Sequence, residues 1–267
     1  MATSDVGVRF DLLAELFDPV TLIMAPPRSC STALARVFWS LSSYRFYSHE
    51  PFEVAYYEGA DLEQVAALLA NPPKITNLDP SRQEKSSARG LLIKEMTFQV
   101  GADFPLLLRL PTGPVIFLIR DPRLCVVSRM RVLSRHGRQP IFDPVESGWA
   151  QLARQIEEAL RRRVPYVVVD AHSFRSDPRR VVSELAEIFG FTYSDRLLKW
   201  RSSDIGSLSA MHHGLHDPFY DRVLRSRGIE PLMEQVPTLR EIPEERGLRR
   251  HVEEALEIFK ELQSVAI

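Results

Sequence analysis

A strand followed by a polar turn and a helix, close to the amino terminus, constrains the fold of this chain more than any other feature. Residues 20–25 form an apolar run that ends at Pro26 and Pro27, as expected of a buried strand. Apolar residues then recur at helical spacing: Leu34, Val37, Phe38 and Leu41. Because a helix N-terminus presents unpaired N–H groups and a positive dipole end, the turn between strand and helix is predicted to bind an anion.

This turn, Pro-Arg-Ser-Cys-Ser-Thr at 27–32, differs from the P-loop of nucleotide triphosphatases. When the P-loop pattern is aligned to the same helix start, Ala25 and Cys30 stand where glycines are required, and Ser31 replaces the phosphate-binding Lys. The cation of the turn, Arg28, lies three residues earlier. These differences argue against an ordinary nucleotide triphosphatase. A Ser/Thr-capped helix beside a surface Arg stays open as the simpler interpretation.

A second segment supports an anion-binding function. Residues 115–128 read as a strand that ends in Arg120-Asp-Pro, with Ser128 eight residues after the Arg. The turn at 27–32 resembles the 5′-phosphosulfate loop of the sulfotransferases that use PAPS (3′-phosphoadenosine 5′-phosphosulfate), and the second segment resembles that family's 3′-phosphate motif. The two motifs occur in the family's order, and the resemblance extends from about residue 19 to about residue 190.

The resemblance implies transfer of a sulfuryl group from PAPS to an acceptor hydroxyl or amine, with release of PAP and without a metal. The first motif would hold the 5′-phosphosulfate through its cation, backbone and hydroxyl groups: Arg28, Ser29, Cys30, Ser31 and Thr32. Thr32 would also donate to the bridging or leaving oxygen. Arg120 and Ser128 would hold the 3′-phosphate, which a planar guanidinium matches well. For Arg120 an ion pair with Asp121 or another neighbour stays open.

The proposed reaction also needs a general base for the acceptor and a cation for the leaving oxygen. The family's cytosolic members use a His on the third strand, but Met96 stands at that position here. Other branches use a Glu just after the second strand; Glu50 matches that placement, and His49 is the rival base. Lys94 resembles the strand-end Lys that stabilises the bridging oxygen. A solvated Glu50 and an exposed Lys94 stay open as purely structural alternatives.

The first motif departs from the family pattern at Cys30, where the family usually has Gly. Glycine tolerates a positive φ at little cost, whereas Cys would be strained by it. We therefore expect the turn to be slightly different at this position, and we assign Cys30 no nucleophilic role.

Composition indicates local rather than global positive charge. The 267 residues carry a formal net charge of −1, which gives no reason to expect a nucleic-acid partner. Cys30 and Cys125 form neither a disulfide framework nor a metal spacing, which fits a reducing cytoplasm. No apolar run approaches transmembrane length, so we expect a cytoplasmic protein without a membrane partner. A homodimer stays open.

The chain alternates strands with helices, which predicts a parallel sheet. The predicted strands are 20–25, 44–48, 90–94, 114–119 and 165–169. The main predicted helices are 1–18, 34–41, 61–70, 122–134, 144–163, 178–189 and 244–263. We predict a three-layer α/β fold with a central parallel sheet of about five strands flanked by helices, and the resemblance implies a P-loop NTPase-like topology. Both phosphate motifs lie at strand C-termini, where such sheets bind ligands.

We expect one domain over 1–267, with a helical C-terminal part at 191–267. The polar character of 59–89 predicts a mobile substrate or lid loop.

Two features of the last third remain open. The segment Arg225-Ser-Arg227 resembles the family segment that closes on PAPS, and Arg227 or Arg225 is a candidate cofactor contact against a solvated charge run. The histidines His212, His213 and His216 could suggest a metal site, but Gly214 disfavours the helix that this spacing would need.

Two other functions stay open: a small-molecule kinase related to P-loop enzymes, which would need a Lys at position 31, and a non-catalytic nucleotide-binding module. The segment 49–52 also resembles a bacterial branch of the sulfotransferases, which suggests a small-molecule acceptor of the secondary-metabolite kind. The acceptor pocket is expected from 52–60, 71–89 and 130–145. Four aromatic residues favour an apolar or aromatic acceptor: Phe52, Tyr56, Tyr57 and Phe142.

Overall fold

The structure, a computed structural model, describes residues 3–79, 87–202, 208, 217–231 and 235–267. The strands are β1 (Val20–Ala25), β2 (Tyr44–His49), β3 (Gly90–Met96), β4 (Val115–Ile119) and β5 (Tyr166–Asp170). The helices of the first half are α1 (Thr3–Leu16), α2 (Ser31–Trp39), α3 (Glu53–Glu58), α4 (Leu62–Ala70), α5 (Ile75–Leu78), α6 (Thr97–Val100), α7 (Phe104–Leu107) and α8 (Pro122–Arg135). Those of the second half are α9 (Trp149–Arg161), α10 (Ala171–Ser176), α11 (Pro178–Phe189), α12 (Asp221–Arg225) and α13 (Leu248–Gln263).

The five strands form one parallel sheet in the order β2-β3-β1-β4-β5. The chain crosses from β1 to β2, returns to β3 beside β1, and then places β4 on the other side of β1. The prediction of a five-stranded parallel sheet within an α/β fold is confirmed. Continuous apolar runs are expected in such strands because helices cover both faces of the sheet, and all six residues of β1 are buried.

The sheet separates two apolar layers, as the three-layer prediction requires. In β1, Leu22 and Met24 point into one layer, which α1, α4, α7, α9 and α13 complete. Ile23 and Ala25 point into the other layer, which α2, α5, α10 and α11 complete. The alternation follows from the two-residue period of a strand.

Two predicted helices begin later than the sequence pattern suggested. The helix predicted over 144–163 is a 3₁₀ turn followed by α9, because Gly148 adopts a φ of 77° between them. The helix predicted over 244–263 is preceded by a 3₁₀ turn, because Arg246 and Gly247 have φ values of 55° and 72°. Left-handed residues interrupt the helical hydrogen bonds, and apolar periodicity does not reveal them.

Part of the predicted lid region is packed structure. Asp61 and Gln64 form a capping box at the start of α4, and Val65, Ala66 and Leu69 are buried against α1 and the core. Residues 80–86 lie outside the described residues, so mobility there stays a prediction. No helix in the described part of the chain is long and apolar enough to cross a bilayer.

Strand register brings the predicted site residues to one edge of the sheet. His49 of β2 pairs with Lys94 of β3, and Ala25 of β1 pairs with Met96 of the same strand. The turns that follow β1, β2, β3 and β4 therefore meet at the carboxyl ends of the strands. They lie next to the topological switch point between β1 and β4, where the strand order reverses.

Candidate active site

A cavity of about 170 Å³ opens at this edge of the sheet. Each of the four neighbouring strand ends contributes side chains to its wall. These include Arg28, Cys30, Ser31 and Thr32 after β1, Glu50 after β2, Met96, Phe98 and Gln99 at and after β3, and Arg120 and Ser128 after β4. Both motifs identified in the sequence thus line the same cavity as the predicted base.

The turn after β1 contains two residues in the left-handed conformation. Arg28 has a φ of 68° and Cys30 has a φ of 66°. Cys30 is the N-cap of α2, and its carbonyl accepts hydrogen bonds from the amides of Ala33 and Leu34 at 3.0 and 3.1 Å. The expectation that the turn would change to accommodate Cys30 is therefore wrong: Cys30 adopts the positive φ that favours glycine.

Ser29 faces away from the cavity. It is fully buried, and its hydroxyl donates to the carbonyl of Pro26 at 2.8 Å. Its Oγ also lies 3.7 Å from Sγ of Cys125. The predicted contact between this hydroxyl and a ligand is not supported, because the side chain is used to close the turn. Ser31 and Thr32, at the start of α2, do line the cavity.

The two motifs contact each other directly. Nε of Arg28 donates to Oγ of Ser128 at 3.2 Å, and the guanidinium of Arg120 donates to the carbonyl of Arg28 at 2.7 Å. Asp121 caps α8 and pairs with Arg123 at 2.6 Å. Burial lowers the pKa of Arg28, and the charge of Arg120 adds to this shift. Two neighbouring, partly desolvated cations form a favourable site for an anion.

Glu50 is buried among hydrogen-bond donors, although its carboxylate lines the cavity. Oε1 accepts a short hydrogen bond from Nζ of Lys94 and one of 2.5 Å from the hydroxyl of Tyr220. Oε2 accepts a hydrogen bond of 3.1 Å from Nε2 of Gln99. The backbone at Glu50 has a φ of 49°, and its amide donates to the carbonyl of Lys94 at 2.7 Å.

The environment keeps Glu50 ionised. Burial alone would raise its pKa, but the charge of Lys94, the nearby His49 and the hydrogen bonds from Lys94 and Tyr220 lower it to about 2. Lys94 is itself fully buried. Neither purely structural alternative is correct: Glu50 is not a solvated strand-end carboxylate, and Lys94 is not an exposed strand-end cation.

His49 is less well placed to act on a ligand than Glu50. The two side chains are equally buried, at 2% exposure each, but Glu50 lines the cavity and His49 is not among the residues that line it. Nδ1 of His49 lies 2.5 Å from the hydroxyl of Tyr47, and Nε2 lies 3.3 Å from Oε1 of Glu50. The geometry favours Glu50 over its rival as the group that meets an acceptor.

A second buried carboxylate supports the turn that carries Glu50. Glu95 accepts hydrogen bonds from the amides of Phe52 and Met96 at 2.8 and 2.6 Å. Burial and the neighbouring charge of Glu50 raise the pKa of Glu95 well above its ordinary value. Glu95 is not among the site residues predicted from the sequence. The adjacent charges Lys94 and Glu95 inside an apolar strand were the available signal.

The C-terminal part of the chain closes one side of the cavity. Phe219, Tyr220 and Arg222 line it, and so does Arg175 at the end of α10. None of these four residues was predicted from the sequence, since no motif connects them to the first half of the chain. Arg227 does not line this cavity but an adjacent surface depression, and its neighbour Arg225 pairs with Asp221 at 3.3 Å. The predicted histidines His212, His213 and His216 lie outside the described residues.

The opposite wall of the cavity is more apolar, with Tyr57, Met96 and Phe98. Of the four aromatic residues predicted for an acceptor pocket, Tyr57 lines the cavity. Tyr56 packs edge-to-face against Tyr57 and Phe98, with ring centroids 4.8 and 4.9 Å apart. Phe52 is buried in the core, and Phe142 packs beneath the guanidinium of Arg129 at 4.3 Å. The described residues of 71–89 and 130–145 contribute nothing to the lining.

Comparison with known proteins gives matches in structure rather than in sequence. No protein-family model matches the chain, and no curated protein matches it. The sulfotransferase domain from the curacin biosynthetic pathway superposes with a TM-score of 0.52 at 18% identity, over 91% of this chain and 98% of that domain. The sulfotransferase domain from the Synechococcus PCC 7002 olefin synthase has a TM-score of 0.52 at 20% identity, over 91% and 95%.

A third structure is less similar. Mouse sulfotransferase SULT7A1, solved with PAP, has a TM-score of 0.41 at 13% identity, over 70% of this chain and 64% of that chain, which is too low to support an argument. The first two matches cover nearly the whole of each domain, and at their level of identity they establish a common architecture. The chain therefore has the α/β fold of these two sulfotransferase domains.

Proposed function

We propose that this protein is a sulfotransferase that moves a sulfuryl group from PAPS to a hydroxyl or amine of a small-molecule acceptor. The observation that carries the proposal is the shared cavity. It joins the turn after β1, the Arg120 and Ser128 pair after β4, and the buried carboxylate of Glu50. The fold shared with two sulfotransferase domains supports the same conclusion.

The charges of the lining fit a polyanionic donor. Among the described residues that line the cavity, the cations are Arg28, Arg120, Arg129, Arg175 and Arg222, and the carboxylates are Glu50 and Glu230. Arg28, Ser31 and Thr32 would hold the 5′-phosphosulfate with the amides at the start of α2. Arg120 and Ser128 would hold the 3′-phosphate. Arg28 and Ser128 are neighbours in the cavity wall and form a hydrogen bond with each other.

PAPS, when bound, supplies a sulfuryl group on an anhydride oxygen that leaves readily. During transfer the acceptor oxygen forms a bond to sulfur while the bond from sulfur to the bridging oxygen breaks. The electron pair of the broken bond stays on the 5′-phosphate oxygen of PAP, and Glu50 takes the proton of the acceptor. The products are the sulfated acceptor and PAP.

Lys94 controls when Glu50 can accept the proton. While Lys94 holds Glu50 ionised, the carboxylate is a weak base, so protonation must be driven by the transfer itself. Once Glu50 takes the proton, the ammonium of Lys94 loses its anionic partner. Lys94 is fully buried and does not line the cavity, so its charge would act on the developing negative charge across the Glu50 carboxyl and not by direct contact.

Ligand-dependent thermal stability tests the donor assignment. We expect PAP to raise the melting temperature by several degrees at about 100 times its dissociation constant, and Mg²⁺-ATP to raise it much less. Arg120→Ala should abolish the shift. The matched control Arg123→Ala should keep it, because Arg123 pairs with Asp121 outside the cavity lining. A larger shift with Mg²⁺-ATP than with PAP would favour a kinase instead.

Turnover tests the base. Glu50→Gln should retain the shift with PAP but lower the turnover of PAPS by about 10²- to 10⁴-fold, because the amide cannot accept the proton. Radiolabelled PAPS with a panel of phenols, aliphatic alcohols and amines gives the measurement. Equal turnover in Glu50→Gln and the wild type would remove Glu50 from the mechanism. Binding of PAP without any turnover in the wild type would favour a non-catalytic module.

A further inference from the structure

Tyr220 lies against the reacting carboxylate without belonging to either phosphate motif. Its hydroxyl donates to Oε1 of Glu50 at 2.5 Å, although the two residues are 170 positions apart in the chain. The ring contacts the edge of His49 with centroids 4.7 Å apart, and Nζ of Lys94 lies 5.8 Å from the ring centroid. Tyr220 is 5% exposed and lines the cavity.

The preceding residue contacts the donor side of the site. The guanidinium of Arg28 donates to the carbonyl of Phe219 at 2.5 Å, and it lies 5.6 Å from the centroid of the Phe219 ring. Two consecutive residues of the C-terminal part therefore contact the cation of the first motif and the carboxylate after β2. Arg28 and Glu50 are far from these two residues in the sequence, so both contacts depend on tertiary packing.

Hydrogen bonding to Glu50 distinguishes its two oxygens. A carboxylate has about four lone-pair positions. Oε1 accepts from Lys94 and Tyr220 and also faces Nε2 of His49 at 3.3 Å. Oε2 accepts from Gln99 at 3.1 Å. An acceptor hydroxyl in the cavity would thus find its hydrogen-bonding position at Oε2, provided that Oε1 stays fixed by its own donors.

We propose that Tyr220 is a positioning residue for sulfuryl transfer: its hydroxyl fixes Oε1 of Glu50 and directs Oε2 toward the acceptor. The proposal rests on the proposed function. Burial and the adjacent charge of Glu50 raise the pKa of Tyr220 well above its ordinary value, so the phenol stays a neutral donor. Lys94 keeps Glu50 ionised, while Tyr220 fixes the orientation of its carboxylate.

The contact itself can be tested in the free protein. Carbon-13 NMR of the glutamate side chains follows the Glu50 carboxyl, which the Glu50→Gln variant identifies by its missing signal. In Tyr220→Phe we expect this signal to shift at pH 7 and to begin titrating roughly one pH unit higher, because an ionised carboxylate loses a donor. The control Tyr44→Phe removes a buried hydroxyl that bonds to Thr21, far from Glu50, and should leave the signal unchanged. An unchanged signal in Tyr220→Phe would overturn the contact.

The positioning role requires a kinetic readout. Release of sulfate from radiolabelled PAPS, with water as the acceptor, reports turnover before the natural acceptor is identified. Tyr220→Phe should lower kcat by about 10- to 100-fold while the KM for PAPS changes less than threefold. Tyr44→Phe should change neither. A shifted NMR signal with unchanged kcat would overturn the positioning role.

The two proposals can fail separately. If the wild type neither binds PAP nor consumes PAPS, the sulfotransferase proposal fails, and the kinetic role of Tyr220 fails with it, whereas the NMR titration still decides the contact. If the wild type consumes PAPS but Tyr220→Phe does so equally well, only the role of Tyr220 is refuted.

Discussion

Three residues other than glycine have a positive φ among the described residues that line the cavity: Arg28, Cys30 and Glu50. Such conformations are costly for residues other than glycine and persist when surrounding contacts hold them in place. For Glu50 these contacts are known: its amide bonds to Lys94, and its carboxylate accepts three further side-chain hydrogen bonds. For Cys30 the hydrogen bonds at the start of α2 hold the backbone, and the partly buried side chain packs against the core.

Replacing Cys30 by Gly should therefore give a more stable protein than replacing it by Ala. Relief of the left-handed conformation is worth about 1–2 kcal/mol, and the added flexibility of the unfolded chain offsets about half of this. Both variants lose the packing of Sγ, and Cys30→Ala keeps Cβ and therefore the strain. We expect the Gly variant to melt about 1–3 °C above the Ala variant in calorimetry. Equal melting temperatures for the Gly and Ala variants would show that φ at this position is not a source of strain.

At the scale of elements, the buried Arg36 of α2 connects this helix to the C-terminal part of the chain by hydrogen bonds. The guanidinium of Arg36 donates to the carbonyls of Val223 and Arg201, both at 2.8 Å. It also lies 4.9 Å from the centroid of the Trp200 ring. Arg36 is only 1% exposed, so water does not compete for these contacts. They hold α12, and with it the preceding Phe219 and Tyr220, beside the cavity.

Arg36→Met should loosen this segment without unfolding the sheet. Loss of charge-assisted hydrogen bonds from a buried site costs about 2–4 kcal/mol locally. Hydrogen exchange should accelerate in Asp221–Arg225 and stay slow in Val20–Ala25. The control Arg161→Met removes an Arg that is exposed at the end of α9 and pairs with Glu158, so exchange should not change. Equal acceleration in both segments would mean that Arg36 stabilises the whole fold and not this segment.

Element boundaries also show where sequence patterns stop being informative. The strands were predicted to within two residues, because buried apolar runs bounded by polar turns reflect strand structure directly. The predicted helices over 144–163 and 244–263 failed at their starts, where Gly148 and Gly247 have positive φ. Apolar periodicity reports the buried face of a helix and contains no information on the backbone conformation of a single glycine.

For the whole molecule, the buried charges at the carboxyl edge make stability depend on pH. The pKa of Glu50 is lowered from an ordinary value of 4.5 to about 2 in the folded state. Its stabilising contribution is therefore complete above about pH 4.5 and is lost as the pH falls toward 2. The effect of Glu95 on stability has the opposite dependence on pH, because its pKa is raised by burial and by the charge of Glu50.

Comparison of Glu95→Gln with the double variant Glu50→Gln/Glu95→Gln isolates the first of these effects, because Glu95, whose pKa depends on the charge of Glu50, is absent from both proteins. Between pH 6 and pH 3, the free energy of unfolding of Glu95→Gln should fall relative to that of the double variant by about 2 kcal/mol. Urea unfolding at both pH values gives the measurement. A difference that stays constant would show that Glu50 has an ordinary pKa in the folded state.

The sequence by itself determined the parallel α/β sheet, both phosphate motifs and the candidate base Glu50. These properties follow from local patterns: buried strands, helix starts, and short runs of polar residues after each strand. Tertiary structure alone decided that Lys94 neutralises Glu50, that Ser29 turns inward, that Cys30 keeps a positive φ, and that Tyr220 reaches the carboxylate. These outcomes depend on strand register and on packing between segments far apart in the chain, where each contact is fixed by all its neighbours and by no single stretch of sequence.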